Sequence, residues 1–478
     1  MRAALALATQ LFDRHAAIEA ADALIVVESE RLFRRLPYHR HKIVLLLAGM
    51  RHLIDRERAR GTRVAHVRLE EGLTFAEGLE RAVGELGATG LVWISATDRG
   101  VDERLMRFCS THGLDHEVLR NDLFLTDEED VDEWFEGRAA PLMEDFYHRQ
   151  RQRTGILMSG DKPVGGRWNY DHDNRKPLPK GGLDAPALPV PAHDQIVDEV
   201  IALVDERFAD HPGRASGFWL PVTPEESRTW LEVFVRERLE LFGRYEDAMA
   251  ADEPFLFHSV LSPMLNTGLI TVPEVLDAVQ DAARGGIPLA SLEGYVRQVI
   301  GWREYMRGMY RTHPELDHVN AFGFERELEP YWYTGEDVPD DLPFPVRRVL
   351  ERVHERGYAH HIERLMVLGN WFLQEEYAPA SVTRWYSSLF VDAYPWVMVP
   401  NVMGMSQYAD GGLVATKPYL SGGAYLQRMG RWWADADEAK ASAYTEGYWR
   451  FLQRHDHELA DNPRMKLALA QARDRAER

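Results

Sequence analysis

The spacing of apolar residues changes once along this chain, near residue 194, and that change constrains the fold more than any other feature. Before about residue 125, short apolar runs such as ALIVVE from Ala23 and GLVWIS from Gly90 alternate with helical patterns. Strands that alternate with helices are typical of a parallel sheet with crossover helices. After Asp194, apolar residues recur three and four positions apart, which predicts helices. The predicted fold class is therefore α/β, with an N-terminal doubly wound parallel sheet domain and a large all-helical C-terminal domain.

Three segments follow from this pattern. We expect an α/β domain over residues 1–130, a connector with a basic loop over residues 131–193 and a helical domain over residues 194–478. The connector contains a passage rich in Gly, Pro and Lys from Ser159 to Asp194, where Pro and Gly disfavour long regular structure. No G-x-G-x-x-G follows the first predicted strand, so the usual dinucleotide-binding fingerprint is absent from the sequence.

The amino-acid composition limits the cellular location and the metal chemistry that we expect for this chain. Among the 478 residues Cys109 is the only cysteine, which excludes an intramolecular disulfide, a Cys-ligated zinc site and a four-thiolate iron–sulfur cluster. No apolar stretch reaches the ~20 residues that a membrane helix needs. We interpret the N-terminal string MRAALALATQLF as a first strand and not as a signal peptide. These observations lead us to expect a cytoplasmic protein, monomeric and without membrane contact.

The charge of the chain is unevenly distributed. A net charge of −20 argues against indiscriminate binding of polyanions. Residues 149–180, however, carry eight Lys or Arg against three Asp, so this segment is a candidate for contact with phosphates. A solvated linker between domains accounts for the same charges equally well.

Two neighbouring segments concentrate polar and aromatic side chains that packing alone rarely requires. The string GYAHHIERLMVLGN covers residues 357–370, and DAYPWVMVPNVMGMSQYADGG begins at Asp392. Together they supply two adjacent histidines, an arginine, aspartates, asparagines and a tryptophan. This mixture indicates a site for a large planar redox cofactor.

Five strings carry a resemblance to a known family. They are DKPVGGRWNYDHDNRKPLPK, FHSVLSPMLNTGLIT, EGYVRQVIGWREYMRG, GYAHHIERLMVLGN and VDAYPWVMVPNVMGMSQYADGG. In this order they resemble the bacterial photolyase-related proteins of the photolyase and cryptochrome superfamily, which repair (6-4) photoproducts and normally carry an iron–sulfur cluster. The resemblance extends from Tyr38 to Asn462 and implies that the helical domain binds FAD noncovalently.

The resemblance implies a flavin site built from several helices. FHSVLSPMLNTGLIT resembles the superfamily's flavin phosphate loop, in which Ser259 and Ser262 would hold a pyrophosphate at a helix N-terminus. A plain Ser cap is the alternative. Asp392 would pair with Arg364 beside the flavin ring, and either Asn401 or Met398 would face the reactive nitrogen of the ring. The implied FAD contacts are Tyr245, His258, Ser259, Val260, Leu261, Ser262, Leu265, Gln298, Arg303, His361, Arg364, Asp392, Tyr394 and Asn401.

Two residues are the implied catalytic groups. His361 aligns with the histidine that (6-4) photolyases use as proton donor to the lesion, and imidazole suits this task because its ordinary pKa is ~6.5. Trp302 offers a flat wall on which a flipped-out base could stack. A structural hydrogen-bonding histidine and a core tryptophan are the alternatives, and we interpret the adjacent His360 as such a structural residue. Leu365 stands where animal-type enzymes carry a second histidine.

Three aromatic residues resemble the photoreduction chain of the bacterial group. They are Trp385, Tyr386 and, as a further member, Trp332. Core packing is the alternative for each of them.

The chain departs from the family at the iron–sulfur cluster. Relatives with the cluster carry one cysteine after the segment around Trp332 and three more around the segment here reading RMGRWWADADEAKASAYTEGYW. None of these cysteines is present. We therefore expect a member of the group without an iron–sulfur cluster, in which Trp432, Trp433 and Tyr444 fill the space.

The connector and the first domain suggest further contacts. Arg167, Arg175, Lys176 and Lys180 are candidate DNA-binding residues. Asp171 or Asp173 could bind Mg²⁺ through waters, or could simply cap turns. The usual antenna of the group is a ribityl lumazine, and Glu28, Ser29 and Tyr38 lie in the corresponding stretch of this chain.

Two functions are compatible with these residues. The first is a light-dependent photolyase that reverses (6-4) photoproducts in UV-damaged DNA by electron transfer from reduced FAD. The second is a cryptochrome-like blue-light photoreceptor that uses the same cofactor without repair. His361 and the basic connector favour repair over the photoreceptor. A flavoprotein that uses neither light nor DNA is a third interpretation.

Overall fold

The N-terminal part of the protein is a parallel sheet flanked by helices. The computed structural model describes residues 1–477. Five parallel strands in the order β3-β2-β1-β4-β5 form this sheet of the described chain. The elements of this region are β1 Arg2–Leu5, α1 Ala16–Glu19, β2 Ala23–Ser29, α2 Glu30–Phe33, α3 Arg40–Ala59, β3 Arg63–Glu70, α4 Phe75–Leu86, β4 Gly90–Ile94, α5 Val101–His112 and β5 Asp115–Leu119. The predicted doubly wound α/β fold is confirmed.

The two faces of the sheet are covered by different helices. Alternate residues of a strand point to opposite faces, and in β1 Ala4 packs on one side while Ala3 and Leu5 pack on the other. The first side is covered by α3, and the second by α4 and α5. The sequence DHEVL of the edge strand β5 is mostly exposed and has no apolar run, so its pattern does not predict a strand.

The connector combines two helices with a long irregular passage. Its elements are α6 Glu128–Phe135, α7 Met143–Thr154, β6 Met158–Ser159, β7 Lys162–Pro163 and a 3₁₀ turn at Val164–Gly166. From Arg167 to Asp194 the chain forms turns and irregular backbone, as its Pro and Gly content predicts. The predicted domain boundary at residue 130 falls inside α6.

From Gln195 onward the described chain is helical, apart from one isolated bridge between Arg326 and Tyr377. The α-helices are α8 Gln195–Arg207, α9 Pro224–Glu237, α10 Leu239–Tyr245, α11 Ser262–Thr267, α12 Val272–Ala283, α13 Leu289–Val296, α14 Arg303–Thr312, α15 Tyr331–Thr334, α16 Phe344–Arg356, α17 Asn370–Gln374, α18 Pro379–Leu389, α19 Pro395–Val399, α20 Gly423–Gly430, α21 Ala436–Ala441, α22 Ala443–Arg454, α23 Asp456–Leu459 and α24 Lys466–Ala476. A 3₁₀ helix covers Pro314–Asp317, and π-helices cover Arg297–Trp302, Glu363–Gly369 and Pro400–Ser406. Across residues 1–477, none of the helices is both long and apolar enough to cross a membrane.

The start of α3 joins the sheet domain to the helical domain. Nε2 of His39 lies 3.0 Å from the carbonyl oxygen of His354, and the buried ammonium of Lys42 donates to the carbonyl oxygens of Ser387 and Ala393. The apolar face of α3 belongs to one continuous hydrophobic core that runs from the sheet into the helical domain. The two domains therefore share a core, and the site described below is held by both.

Gly357 lies at this junction, where the domains pack tightly. Its φ of 65° is left-handed, and a Cβ atom there would lie 2.8 Å from Val391 and 3.0 Å from the ring of His39. We expect Gly357→Ala to lower the free energy of unfolding by about 2–4 kcal/mol, because strain and overpacking add. Gly113 has the same φ of 65° with open space around it, so Gly113→Ala measures the strain alone. Equal losses in urea unfolding of the two variants would contradict tight packing at the junction.

Candidate flavin and lesion site

A cavity of about 700 Å³ opens within the helical domain. Residues from all three π-helices line it: Gln298, Val299 and Trp302 from the first, Leu365 and Met366 from the second, and Asn401 and Met405 from the third. π-Helical turns are rare and occur frequently at functional sites. The convergence of three of them marks this cavity as the candidate site.

The cavity brings together most of the residues that the resemblance implied. Those that line it are His258, Ser259, Val260, Ser262, Leu265, Gln298, Trp302, Arg303, His361 and Asn401. Five others lie behind or beside its walls: Tyr245, Leu261, Arg364, Asp392 and Tyr394. Tyr245 packs in a separate small core with Phe257, and the ring of Tyr394 lies under Lys42 at the domain junction. A direct flavin contact by Tyr245 or Tyr394 is therefore not supported by their positions.

The segment around Ser259 and Ser262 differs from the helix N-terminus that we expected. Helix α11 begins at Ser262 and has only six residues, and Pro263 in its first turn has no backbone N–H to offer. The hydroxyl of Ser262 donates to Oδ2 of Asp392 at 2.6 Å. Ser262 does begin a helix, as the sequence suggested, but this helix is short and the Ser262 hydroxyl is already engaged, so the phosphate interpretation stays a prediction.

A buried ion pair supports the floor of the cavity. Nη1 and Nη2 of Arg364 donate to Oδ1 and Oδ2 of Asp392 at 2.9 and 3.0 Å, and Nε donates to the carbonyl oxygen of Ala359. This two-pronged geometry is the strong form of the Arg–carboxylate interaction. The ion pair that the sequence suggested is present, and it orients Ser262 through the shared carboxylate.

Trp302 is held by a hydrogen bond across the cavity wall. Its indole N–H donates to Oδ1 of Asn401 at 3.1 Å, and Nδ2 of Asn401 donates to the carbonyl oxygen of Val397 at 2.7 Å. Of the two candidates for the flavin nitrogen, Asn401 lines the cavity, whereas Met398 is buried in the core behind it. The amide of Asn401 is consequently fixed in one orientation by two partners.

His361 projects into the cavity and is neutral at pH 7. The side chain is exposed to the space inside the cavity, while protein walls surround it. Burial among these walls, together with the nearby charge of Arg364, lowers the pKa of His361 to about 4. A bound polyanion would reverse part of this effect, because nearby negative charge favours the imidazolium.

Beneath His361 lies a buried polar cluster that the sequence alone does not reveal. The rings of His258 and His360 stack with centroids 4.3 Å apart, and Nε2 of His360 lies 3.6 Å from Oε1 of Glu363. The guanidinium of Arg352 donates to the same oxygen of Glu363. Within residues 1–477 both ring nitrogens of His360 and Nε2 of His258 have no hydrogen-bond partner. Burial raises the pKa of Glu363 to about 7 although Arg352 opposes the shift.

Buried histidines give the protein a defined pH dependence. Burial lowers the pKa of His258 to about 3 and that of His15 and His41 to about 4, so these side chains are neutral in the folded protein. At each of these histidines the unfolded chain binds more protons than the folded one between about pH 6.5 and pH 4, whereas at Glu246 and Glu363, whose pKa burial raises to about 7, the folded chain binds more. The contribution of these histidines to stability is therefore fully present above pH 6.5 and is lost as the pH falls, while protonation of the two glutamates offsets part of that loss.

We expect the free energy of unfolding to decrease from pH 6.5 to pH 4, by up to about 3 kcal/mol for each fully buried histidine. Urea unfolding across this range measures the slope. The variant His41→Asn should reduce the slope, whereas His172→Gln should leave it unchanged, because 96% of the His172 side chain is exposed. A slope that is the same in His41→Asn as in the wild-type protein would contradict the neutral, buried state of His41.

Comparisons with known proteins identify the family of this chain. A family model described as deoxyribodipyrimidine photo-lyase-related protein matches residues 4–220. The (6-4) photolyase of Agrobacterium fabrum is 35% identical over 477 residues, which cover 96% of this chain and 93% of that protein. The chain belongs to the bacterial photolyase-related family.

Solved photolyase structures share the fold. The crystal structure of a bacterial class III photolyase from Agrobacterium tumefaciens matches with a TM-score of 0.61 at 16% identity, and covers 98% of this chain and 91% of that one. An archaeal photolyase from Sulfolobus tokodaii, solved with two FAD molecules, matches with a TM-score of 0.55 at 14% identity, over 97% of this chain and 92% of that one. The α/β domain followed by a helical domain is thus the photolyase architecture.

The aromatic residues implied for photoreduction of this photolyase-related protein are in contact with one another. The ring of Tyr386 lies 5.0 Å from that of Trp385, which lies 5.9 Å from that of Trp332. The hydroxyl of Tyr386 donates to the carbonyl oxygen of Arg364 at 2.7 Å. This hydrogen bond connects the row of aromatic residues to the ion pair beside the cavity. Trp385 and Trp332 are both fully buried.

Charged side chains surround the mouth of the cavity. Arg175 lines it and pairs with Asp171 at 3.0 Å and with Glu246 at 3.1 Å, while Arg297 also binds Asp171. Burial raises the pKa of Glu246 to about 7. The other three candidate DNA-binding residues, Arg167, Lys176 and Lys180, are exposed on the connector.

The structure does not favour Mg²⁺ at the connector. Asp171 is occupied by Arg175 and Arg297, and Asp173 is bound by Arg167. In the part of the chain that the structure describes, no group of three or more His, Cys, Asp or Glu side chains is placed to hold a metal ion. Both aspartates therefore form salt bridges with arginine side chains.

Aromatic side chains close the region where relatives carry cluster cysteines. Tyr444 stacks on Trp371 with ring centroids 5.8 Å apart, and its hydroxyl donates to the carbonyl oxygen of Met366 in the second π-helix. Trp432 is buried with the guanidinium of Arg352 over its ring at 5.9 Å, and Trp433 is half-buried. The expected filling residues therefore pack behind the cavity wall.

The three residues suggested for an antenna contribute to the fold of the first domain. The buried carboxylate of Glu28 accepts from Arg51 and His66, and these hydrogen bonds lower its pKa to about 2 although burial opposes them. Ser29 caps α2 and donates to the carbonyl oxygen of Leu73. Tyr38 retains some exposed surface and lies beside Lys42. A ribityl lumazine stays a prediction.

Proposed function

We propose that this protein is a light-dependent DNA photolyase that reverses (6-4) pyrimidine photoproducts with reduced FAD as the electron donor. The observation that carries the proposal is that His361 and Trp302 line one cavity of the helical domain. A base stacked on Trp302 would lie in the same enclosure as an imidazole able to exchange a proton. The identity with a (6-4) photolyase over nearly the whole chain supports this assignment of substrate.

The residues of the cavity fit FAD. Its volume of about 700 Å³ is within the range of ligand pockets, and flat apolar walls from Trp302 and Trp396 suit a planar ring. Nε2 of His258 and Nε of Arg303 are buried at its edge without a hydrogen-bond partner in residues 1–477. Such orphaned groups are costly unless a ligand satisfies them. We propose that the nine implied FAD contacts that line the cavity, which are the residues named above without Trp302, hold FAD, with Asn401 nearest the reactive nitrogen.

Each side chain has a separate task in this proposal. Bound FAD supplies the electron when it is reduced and absorbs blue light. Trp302 stacks the extruded lesion, and its hydrogen bond to Asn401 keeps the indole ring in place. His361 moves the proton at one of its ring nitrogens. Because its pKa is lowered to about 4 without DNA, the phosphates of bound DNA must raise that pKa before the imidazolium can donate.

The basic side chains around the cavity suit a DNA backbone. Arg175 stands at the rim, and Arg167, Lys176 and Lys180 extend the positive charge along the connector. Phosphate contacts position a duplex without reading its sequence. We propose that these four residues bind the strand that carries the lesion, and that Trp385, Tyr386 and Trp332 pass electrons to FAD during photoreduction.

One experiment separates repair from signalling. The FAD-loaded protein is photoreduced and mixed with oligonucleotides that carry a defined (6-4) lesion or a cyclobutane dimer, and products are compared by chromatography after blue light and after darkness. Repair of only the (6-4) strand, and only in light, is the expected result. Repair of the cyclobutane dimer alone would correct the lesion class. Failure on both strands by flavin-loaded protein would favour the cryptochrome-like photoreceptor.

A further inference from the structure

Trp332 is the last residue of the predicted electron chain, and it has neighbours that could extend the chain further. Its side chain is fully buried, as is that of Trp385. A hole left on Trp332 can return to the flavin, or it can move to a neighbouring residue that loses a proton together with its electron and so holds the charge longer. Two tyrosines lie next to Trp332: Tyr331 with ring centroids 5.0 Å away, and Tyr377 with centroids 6.3 Å away.

The hydrogen bonds distinguish these two tyrosines. The indole N–H of Trp332 lies 3.4 Å from the hydroxyl of Tyr377, and that hydroxyl donates to Oε2 of Glu329 at 2.5 Å. Among residues 1–477, no carboxylate accepts a hydrogen bond from the hydroxyl of Tyr331. A phenol loses an electron readily only when a base takes its proton at the same time. Tyr377 has such a base and Tyr331 does not.

The surroundings of Tyr377 favour proton release over a charged radical. The guanidinium of Arg326 lies over its ring at 4.2 Å, which disfavours a positive charge on that ring. The same guanidinium binds Glu329 at 2.7 Å, so the carboxylate is ionised and ready to accept. The side chain of Glu329 is 36% exposed, whereas Tyr377 is buried. The proton therefore has a path to water that passes through Glu329.

We propose that Tyr377 is the terminal electron donor of the aromatic chain and that Glu329 is its proton acceptor. This inference rests on the proposed function, because photoexcited oxidised flavin is the oxidant that draws the first electron. One electron moves from Tyr377 to the oxidised indole of Trp332, which returns to its neutral closed-shell form with its N–H intact.

The phenolic proton moves to Glu329 in the same step. The products are a neutral phenoxyl radical at Tyr377 and a neutral carboxylic acid at Glu329, which then loses its proton to water. A small thiolate at the surface then gives one electron to the phenoxyl radical and becomes a thiyl radical, and a proton from water restores the phenol of Tyr377. Charge and mass balance at each stage, and the separated charge is trapped because the phenoxyl radical cannot recombine without regaining a proton.

Flash photolysis of the FAD-containing protein tests the inference. Ring-deuterated tyrosine is incorporated, and the radical formed after a blue flash is identified by electron paramagnetic resonance and transient absorption. We expect a tyrosyl radical in the wild-type protein and a tryptophan radical in Tyr377→Phe. In Glu329→Gln, tyrosyl formation should slow by about 100-fold, because glutamine accepts no proton. Tyr331→Phe is the matched control and should keep the wild-type signal.

Several results of the same experiment would contradict the assignment of Tyr377. A tyrosyl signal that survives in Tyr377→Phe and disappears in Tyr331→Phe overturns the inference. In the wild-type protein, a flash that leaves no oxidised aromatic residue, or one that leaves a lasting tryptophan radical, overturns it as well. Repair by wild-type protein whose flavin is reduced chemically is measured in parallel. If the tyrosyl radical forms at Tyr377 but chemically reduced protein repairs neither lesion, the proposed function fails and the inference stands.

Discussion

Replacing His361 with alanine is expected to lower light-driven repair of the (6-4) lesion by about 100-fold or more, with FAD still bound. General acid–base catalysis by a positioned side chain contributes about 10²–10⁴-fold to a rate, and His361 is the histidine exposed inside the cavity. The flavin absorbance that remains after gel filtration and the product yield per photon are the two measurements.

The control for this variant is another histidine of the chain. His172→Ala removes a side chain that is 96% exposed on the connector, so it should keep both FAD and repair. If His361→Ala loses the flavin, the residue belongs to the binding of FAD. If it keeps full repair, the proton is handled elsewhere.

The second large effect is expected from the buried ion pair. Asp392→Ala should lower the free energy of unfolding by about 3–5 kcal/mol, because it leaves the buried guanidinium of Arg364 without its carboxylate. Ser262 would lose the acceptor of its hydroxyl at the same time. Urea unfolding measures the loss, and we expect FAD to wash out of the variant during gel filtration.

Two further variants isolate the cause. Asp437→Ala breaks an exposed pair with Lys440 and should cost about 1 kcal/mol or less. The double variant Arg364→Met with Asp392→Leu removes both charges, and should be more stable than Asp392→Ala alone if the uncompensated charge is what destabilises. A cost for Asp392→Ala no larger than that for Asp437→Ala would show that the pair is not effectively buried.

The sequence predicted the architecture because its periodicities are strong. Strands β1 to β4 and the long α3 have clear apolar patterns, and the order of five strings carried the family. The charged edge strand β5 lacks such a pattern and depends on its neighbour β4 for pairing. Local sequence therefore contained too little information to reveal it.

The sequence identified which residues line the site but not how they are arranged in space. His361, Trp302 and Asn401 were identified from motifs, and the structure places all three at one cavity. The three π-helices leave no local signature, because the extra residue in each turn is stabilised by packing between helices. Tyr377 and Glu329 are far apart in sequence, and only the fold brings the hydroxyl to the carboxylate.

Because the two domains share a hydrophobic core, the connector is not needed to hold them together. Val190 in the connector is 92% exposed, yet the apolar surfaces of the two domains remain buried against each other through α3. Cutting the backbone at Val190 would remove a tether without exposing the surface that holds the halves together. The cut molecule should still behave as one particle until a denaturant separates its pieces. In this respect the interface between the two domains resembles that between the subunits of an obligate heterodimer, although both domains belong to one chain.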